Sequence, residues 1–323
     1  MDLPFRSITA ASAALKDKGI SPVELVEKCL DRAEFVQGEI NPFVIILHDQ
    51  ALIAARRAEA EIAKGNYRGA LHGIPLVIKD LCDIEGLPTT ASSKVRFDHI
   101  ANENAACVER LVEAGAIIVG KTHTHKFAYG IITPKTRNPW NKNHIPGGSS
   151  GGTAAAVASG ACLGGIGTDT GGSIRIPASV CGTVGLKPTF GRVSRYGVTS
   201  LSWSLDHVGP LTYSVTDAAI MLGAIAGFDV RDPGSVKVPV PDYMEPGSNN
   251  LDGLRVGLPT NFYFDGIDSE VETIVRQAYK VLEQAGASLV EVTLPFAEEY
   301  MGVEFGLCLP EASAYHQKML RER

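Results

Sequence analysis

The sequence has no excess of basic residues, no paired-cysteine motif and no long hydrophobic run. Its 36 acidic residues outnumber its 30 basic residues, which gives a net charge of −6. Because binding to a phosphate backbone relies on a basic face, no direct nucleic-acid partner is expected. The longest apolar stretch, Ala218 to Phe228, is too short to span a bilayer, and the first residues show no charged-then-apolar leader. No membrane partner is expected either.

The cysteines are few and scattered. None of the six forms a C-x-x-C pair or a short disulfide spacing, and in a chain of 323 residues this pattern favours reduced, buried thiols. A cytoplasmic location is therefore predicted. The residues are Cys29, Cys82, Cys107, Cys162, Cys181 and Cys308.

Four helices are predicted from their end signals and apolar spacing. One begins with the capping box Ser21-Pro22-Val23-Glu24, in which proline occupies the first helical turn. The other three span Asp49–Lys64, Asn104–Ala114 and Asp268–Ala285, and each is followed by a glycine typical of a helix C-terminus.

Short β-rich runs lie between or after these helices, and this alternation is typical of an α/β fold. We predict a single domain over residues 1–323, in which the proline- and glycine-rich residues 229–252 form a surface loop. The predicted strands are Leu76–Ile78, Ile117–Val119, Leu254–Leu258 and Leu289–Val292.

Residues 146–192 contain far more glycine than the rest of the chain, including two Gly-Gly-Ser clusters. Phosphate binding is one interpretation, but G-x-x-x-x-G-K-[ST] is absent and no G-x-G-x-x-G follows a strand. Tight helix–sheet packing is a second interpretation. Nucleophilic catalysis is the third, and it accounts for serines that each open a helix-compatible segment.

Ser173 is the candidate nucleophile. It follows Gly171-Gly172 at the start of a helix-like segment, so its hydroxyl is presented without bulky neighbours. The adjacent backbone amides are available to a developing oxyanion, which is often the largest catalytic contribution. Serine needs a base to act as a nucleophile, and none of the eight histidines lies in a recognisable triad motif.

Lys79 is the candidate base, because it ends the apolar run Ile74-Pro75-Leu76-Val77-Ile78. If this run is a buried strand, burial lowers the lysine pKa, and only neutral lysine accepts a proton. Two alternatives stay open on the local sequence: a lysine that reaches the surface, or one paired with the adjacent Asp80.

Five segments of the chain resemble the amidase signature family, whose members are Ser–Ser–Lys amidohydrolases. The similarity extends from about Ser7 to the end of the chain, and the long serine–glycine signature is highly specific. The matching segments are Gly73–Asp80, Pro146–Gly152, Asp169–Ala178, Gly185–Thr189 and Leu205–Pro210.

The resemblance implies a role for each matching residue. Ser173 is the nucleophile, Ser149 the intermediary serine after a cis peptide bond, and Lys79 the base. The implied fold is α/β, with a central mixed sheet covered by helices on both faces. The implied function is amide hydrolysis through an acyl-enzyme, with a small-molecule amide as substrate and no cofactor or metal. The oxyanion donors are the backbone amides of Thr170, Gly171, Gly172 and Ser173, and the supporting hydrogen-bonding groups are Ser150, Thr168, Asp169 and Arg175.

The substrate pocket is assigned by the same resemblance to Phe127, Ala128 and Tyr129. A rival function in the family is the glutamine-hydrolysing subunit of a tRNA-dependent amidotransferase. That subunit usually carries an acidic, methionine-containing stretch where this chain has Thr124–Tyr129, so the departure favours a free-standing amidase. A non-catalytic fragment acting as a binding module is a third alternative.

The resemblance also implies that relatives continue beyond residue 323, so the chain is expected to lack a C-terminal portion of the family fold. The last segment, Glu311 to Arg323, has helical apolar spacing. A homodimer is the expected protein assembly.

Overall fold

The chain has two compact units, and the computed structural model describes residues 5–245, 247 and 250–322 of it. The described parts of residues 1–244 and 310–323 form the first unit, and those of 245–309 form the second. The single domain over 1–323 and the surface loop at 229–252 stay predictions. Residues 246, 248 and 249 of that segment, and Arg323 of the predicted last helix, lie outside the described residues.

Within its described residues, the first unit contains a six-stranded mixed sheet in the order β1-β3-β2-β4-β6-β5. Strand β3 runs parallel to β2 and β2 parallel to β4, whereas β1, β6 and β5 pair antiparallel with their neighbours. The predicted α/β fold with a central mixed sheet is confirmed. The strands are β1 (Phe43–Ile46), β2 (Pro75–Lys79), β3 (Ile117–Thr122), β4 (Gly164–Asp169), β5 (Val184–Gly185) and β6 (His207–Thr212).

Helices cover both faces of this sheet because successive side chains of a strand leave on opposite sides. Leu76 and Ile78 of β2 belong to a buried cluster with α1, α4 and α7, while Val77 belongs to one with α2, α3 and α5. The helices are α1 (Ile8–Lys16), α2 (Pro22–Ile40), α3 (His48–Ala63), α4 (Ala106–Glu113), α5 (Gly151–Ala158), α6 (Arg175–Cys181) and α7 (Val215–Ile225).

The predicted helix ends are determined by local hydrogen bonds. At the start of α2, the Glu24 amide donates to Ser21 Oγ at 3.1 Å, and the Ser21 amide donates to the Glu24 carboxylate at 2.9 Å. This reciprocal capping box is the one predicted. Helix α4 begins at Ala106, two residues after the predicted Asn104.

Part of the glycine-rich region is a buried strand that the sequence did not predict. Strand β4 is fully buried between β2 and β6. A Cβ at Gly165 would lie 2.6 Å from Cγ2 of Val77 and 2.7 Å from Cγ2 of Thr153. At Gly165, therefore, glycine permits close helix–sheet packing, which was the second interpretation of this region.

The second unit contains a two-stranded parallel sheet formed by β7 (Arg255–Pro259) and β8 (Ser288–Val292), connected by α8 (Ser269–Gln284). Helix α9 (Tyr300–Glu322) follows, and its residues from Pro310 onward belong to the first unit. Both strands and both helices were predicted, α9 only from Glu311. Searched over the described residues, the chain has no helix that is both long and apolar enough to cross a membrane.

Candidate active site

Strand β2 ends at Lys79, and because the strand is central and buried, it carries this lysine into the interior. The side chain is 0% exposed. Its Nζ lies 2.7 Å from Oγ of Ser149, 2.8 Å from Oγ of Ser150 and 2.8 Å from Oγ1 of Thr168. The alternative of a surface lysine is therefore wrong, and so is a pair with Asp80, which instead lies 3.0 Å from Lys121.

This environment changes the protonation of Lys79. Burial disfavours the ammonium form and lowers the pKa of Lys79 to about 7, although Cys82 and the carboxylates of Asp169 and Asp206 act in the opposite direction. A large fraction of the amine is therefore neutral near pH 7. Neutral lysine has a lone pair and can accept a proton.

Ser149 is held by its backbone as well as by Lys79. The peptide bond from Gly148 to Ser149 is cis. The carbonyl oxygen of Ser149 accepts hydrogen bonds from the His125 amide at 3.0 Å and from the Thr133 hydroxyl at 3.2 Å. Its hydroxyl therefore stays beside Lys79 at the start of α5.

The turn that carries Ser173 is organised by the carboxylate of Asp169, which is buried at the end of β4. Asp169 accepts from the amides of Gly172 at 2.8 Å and Ile174 at 3.1 Å, and from Arg175 Nε and Nη2 at 2.9 Å each. Burial alone would raise the pKa of Asp169, but Arg175 and the two amides hold that pKa below its ordinary value.

The four predicted oxyanion donors are not equivalent. The Gly172 amide is engaged by Asp169, and Gly172 has φ of +119°. Within the described residues, the amides of Thr170, Gly171 and Ser173 make no hydrogen bond to the protein. Three amides in this turn are thus available to a ligand.

Ser173 is brought near the other two predicted catalytic residues through the backbone. Its carbonyl accepts from the Ser150 amide at 3.1 Å, and its side chain is buried. Across the described part of the chain, the Ser173 hydroxyl makes no hydrogen bond. Lys79 and Ser149 are in direct contact, whereas the Ser149–Ser173 step of the relay is not closed.

The predicted substrate residues occupy different environments. Ala128 is buried and lines a cavity of about 190 Å³ together with Thr168, Asp206 and His207. The Phe127 ring packs against His316, with ring centroids 4.8 Å apart. Tyr129 is 53% exposed. Only Ala128 of the three lines this cavity.

Sequence reasoning missed Thr133 and Asp206 as site residues. Thr133 binds both the Ser149 carbonyl and the Gly151 amide. Asp206 accepts from the hydroxyls of Thr170 and Ser200 at 2.6 Å each. A signal for Asp206 existed, because it lies in the matching segment Leu205–Pro210, whereas nothing in the local sequence singles out Thr133.

Replacing Asp169 tests whether its carboxylate holds the nucleophile turn. Asp169→Asn loses charge-assisted hydrogen bonds, so we expect the free energy of unfolding at pH 7 to fall by about 2 kcal/mol. Because the folded pKa of Asp169 is depressed, its contribution is present above the unfolded pKa and is lost as the pH falls through the folded pKa. Urea unfolding at pH 7 and pH 3 measures both effects. An equal loss at both pH values would contradict this account.

Comparison with known proteins identifies the family. The Amidase family model matches residues 24–322, so the chain belongs to the amidase signature family, as the serine–glycine motifs indicated. An amidase from Pseudomonas putida is 52% identical over 318 residues, which are 98% of this chain and 68% of that protein. A glutamyl-tRNA(Gln) amidotransferase subunit from Trichlorobacter lovleyi is 45% identical, over 97% of this chain and 66% of its own.

Solved structures agree with this assignment. The native peptide amidase from Stenotrophomonas maltophilia superimposes with a TM-score of 0.88 at 33% identity, covering 98% of this chain and 68% of that one. The chain thus spans about two thirds of the length of these relatives.

Proposed function

We propose that this chain hydrolyses the carbon–nitrogen bond of linear amides through an acyl-enzyme on Ser173, with Ser149 as proton relay and Lys79 as base. The observation that carries the proposal is the 2.7 Å contact between Lys79 Nζ and Ser149 Oγ inside a fully buried site. Family membership supports the same chemistry.

Counting protons at Lys79 supports its role as the base. The Ser150 hydroxyl donates to the Thr168 carbonyl at 3.1 Å, so Ser150 Oγ can only accept from Lys79. A neutral amine has two N–H groups, and Oγ1 of Thr168 takes the second. The lone pair of Lys79 is then left for the proton of Ser149.

The reaction proceeds in two halves. The Ser173 hydroxyl rotates towards Ser149, gives up its proton and attacks the amide carbonyl, while Ser149 passes its own proton to Lys79. The tetrahedral intermediate collapses, the C–N bond breaks, and the leaving amine takes the proton back along the relay. Water then attacks the ester by the same path and releases the acid.

The oxyanion binds to the backbone amides of Thr170, Gly171 and Ser173. All three lack a protein partner within the described residues, so no hydrogen bond is broken when the negative charge develops. The Gly172 amide instead holds Asp169, which orients the turn.

A small substrate fits the adjoining cavity. Its volume of about 190 Å³ holds about six groups of the size of water. Ala128, Leu201 and Val208 supply apolar lining, and we propose that a non-reacting part of the substrate binds there. Phe127 acts indirectly, through its packing on His316.

The amidotransferase subunit is the second candidate, favoured by the 45% identity to such a protein. The stretch Thr124–Tyr129 departs from the acidic, methionine-containing pattern of those subunits and supports a free-standing amidase. A cytoplasmic location is supported by six free and buried cysteines. The homodimer stays a prediction.

A substrate screen separates these functions. The purified protein alone is expected to release ammonia from small aliphatic and aromatic amides, without ATP or aminoacyl-tRNA, because the whole relay lies within this chain. Ammonia release from a panel of amides, esters and glutamine is the measurement, with Ser173→Ala as control. Release from glutamine only, and only with partner subunits, would favour the amidotransferase. No release under any condition would favour a binding module.

A further inference from the structure

A second buried lysine, Lys121, forms an ion pair with the residue that follows Lys79. Its Nζ lies 3.0 Å from Oδ1 of Asp80, and both side chains are 0% exposed. Lys79 and Asp80 are consecutive at the end of β2, so their side chains leave the backbone on opposite sides. Burying two charges carries a desolvation penalty that only good geometry and further hydrogen bonds offset. The relay itself uses neither charge.

The further hydrogen bonds of this pair all go to residues 88–92. Lys121 donates to the Pro88 carbonyl and to Thr89 Oγ1, at 2.7 Å each. Asp80 accepts from the Thr90 hydroxyl and from the amides of Thr90 at 3.2 Å and Ser92 at 3.3 Å. Through these contacts the pair holds the whole segment against the ends of β2 and β3.

This segment needs such support. Ala91 and Ser92 have φ of +51° and +52°, a left-handed conformation that is strained for residues other than glycine. Strained backbone persists only where surrounding contacts determine it.

Residues 88–92 in turn hold the segment 124–127. The Thr124 amide donates to Ser92 Oγ at 3.0 Å, and the Phe127 amide donates to the Ala91 carbonyl at 3.2 Å. Between these two anchors, the His125 amide donates to the Ser149 carbonyl at 3.0 Å. A continuous set of hydrogen bonds therefore leads from Asp80 to Ser149.

We propose that the Asp80–Lys121 pair positions the proton relay, by holding residues 88–92 and, through residues 124–127, keeping Ser149 against Lys79. Both ends of the relay meet in this pair, since Asp80 is covalently joined to Lys79 and linked to Ser149 through the two segments. The proposal rests on the function proposed above.

The double variant Asp80→Asn/Lys121→Met tests this role. It removes both charges and leaves the net charge unchanged, whereas each single variant leaves an unpaired buried charge and is expected to be less stable. Because a small misplacement of catalytic groups is enough to slow the reaction, we expect kcat to fall by about 100-fold with KM changed less than about threefold.

The pH profile distinguishes positioning from general stability. The groups that influence Lys79, namely Cys82, Asp169 and Asp206, are unchanged in the double variant. Loosened packing admits water to Lys79, so the midpoint of kcat/KM is expected to move upward from about 7, towards the ordinary lysine value. The matched control is Asp217→Asn, which removes a buried aspartate bonded to Thr9 of α1 and should lower the melting temperature without moving the midpoint.

Hydrogen exchange supplies a readout that is independent of activity. In the double variant, the amides of residues 90–92 and 124–127 are expected to exchange faster, and in Asp217→Asn they are not. A folded double variant with the kcat, midpoint and exchange of the parent would overturn the proposal. If the parent hydrolyses no amide, the proposed function fails, and the exchange of residues 124–127 alone decides whether the pair holds them.

Discussion

Ser173→Ala is expected to abolish amide hydrolysis, with kcat lower by a factor on the order of 10⁴ or more, because removing the nucleophile of a serine hydrolase leaves only binding and oxyanion stabilisation. The fold is expected to be retained, since the Ser173 hydroxyl makes no hydrogen bond within the described residues. Single-turnover assays and circular dichroism of the variant measure the two effects.

Two serine variants serve as controls for this result. Ser149→Ala is expected to keep weak activity, because the relay is impaired while Ser173 can still attack. Ser159→Ala, at the end of α5, removes a hydroxyl that bonds only the Ala156 carbonyl and should leave the rate unchanged. Activity in Ser173→Ala equal to that of Ser159→Ala would place the nucleophile elsewhere.

Lys79→Met is expected to lose most of the rate together with its pH dependence. In the parent, kcat/KM rises with pH through a midpoint near 7, because only the neutral amine accepts the Ser149 proton. Methionine keeps the length of the side chain but has no lone pair of comparable basicity, so the residual rate should be flat across this range. A pH–rate profile from pH 5 to 9 is the measurement, and Lys64→Met, at the exposed end of α3, is the control.

The same substitution changes stability in a defined direction. The folded pKa of Lys79, about 7, lies below the ordinary value of 10.5, so the unfolded state binds more protons between these values. Stability of the parent therefore rises with pH across this window, by at most about 1.4 kcal/mol per pH unit. Lys79→Met removes this dependence and is expected to be more stable than the parent at pH 7. A variant with the parent's slope would show that Lys79 is not the group responsible.

Features encoded locally could be predicted from the sequence. The capping box at Ser21 and the glycines after α3, α4 and α8 act within a few residues, so their patterns locate these helices. The apolar run before Lys79 likewise predicted a buried strand with a lysine at its end.

Features that depend on long-range contacts could not be predicted in this way. Strand β4 consists largely of glycine, and only its neighbours Val77 and Thr153 explain why glycine is required at Gly165. Thr133 and Lys121 contact groups more than 15 residues away in sequence. The engagement of the Gly172 amide by Asp169 distinguishes it from the other oxyanion donors, and a motif alone treats all four as equal.

Covalent labelling tests the central claim most directly. The purified chain should be incubated with a fluorophosphonate at pH 8, where most of Lys79 is neutral, and the adduct located by peptide mass spectrometry. We predict one adduct per chain, on Ser173, formed much more slowly in Lys79→Met and absent from Ser173→Ala. An adduct on another residue, or one that forms at the parent's rate in both variants, would contradict a Ser173 nucleophile activated by Lys79.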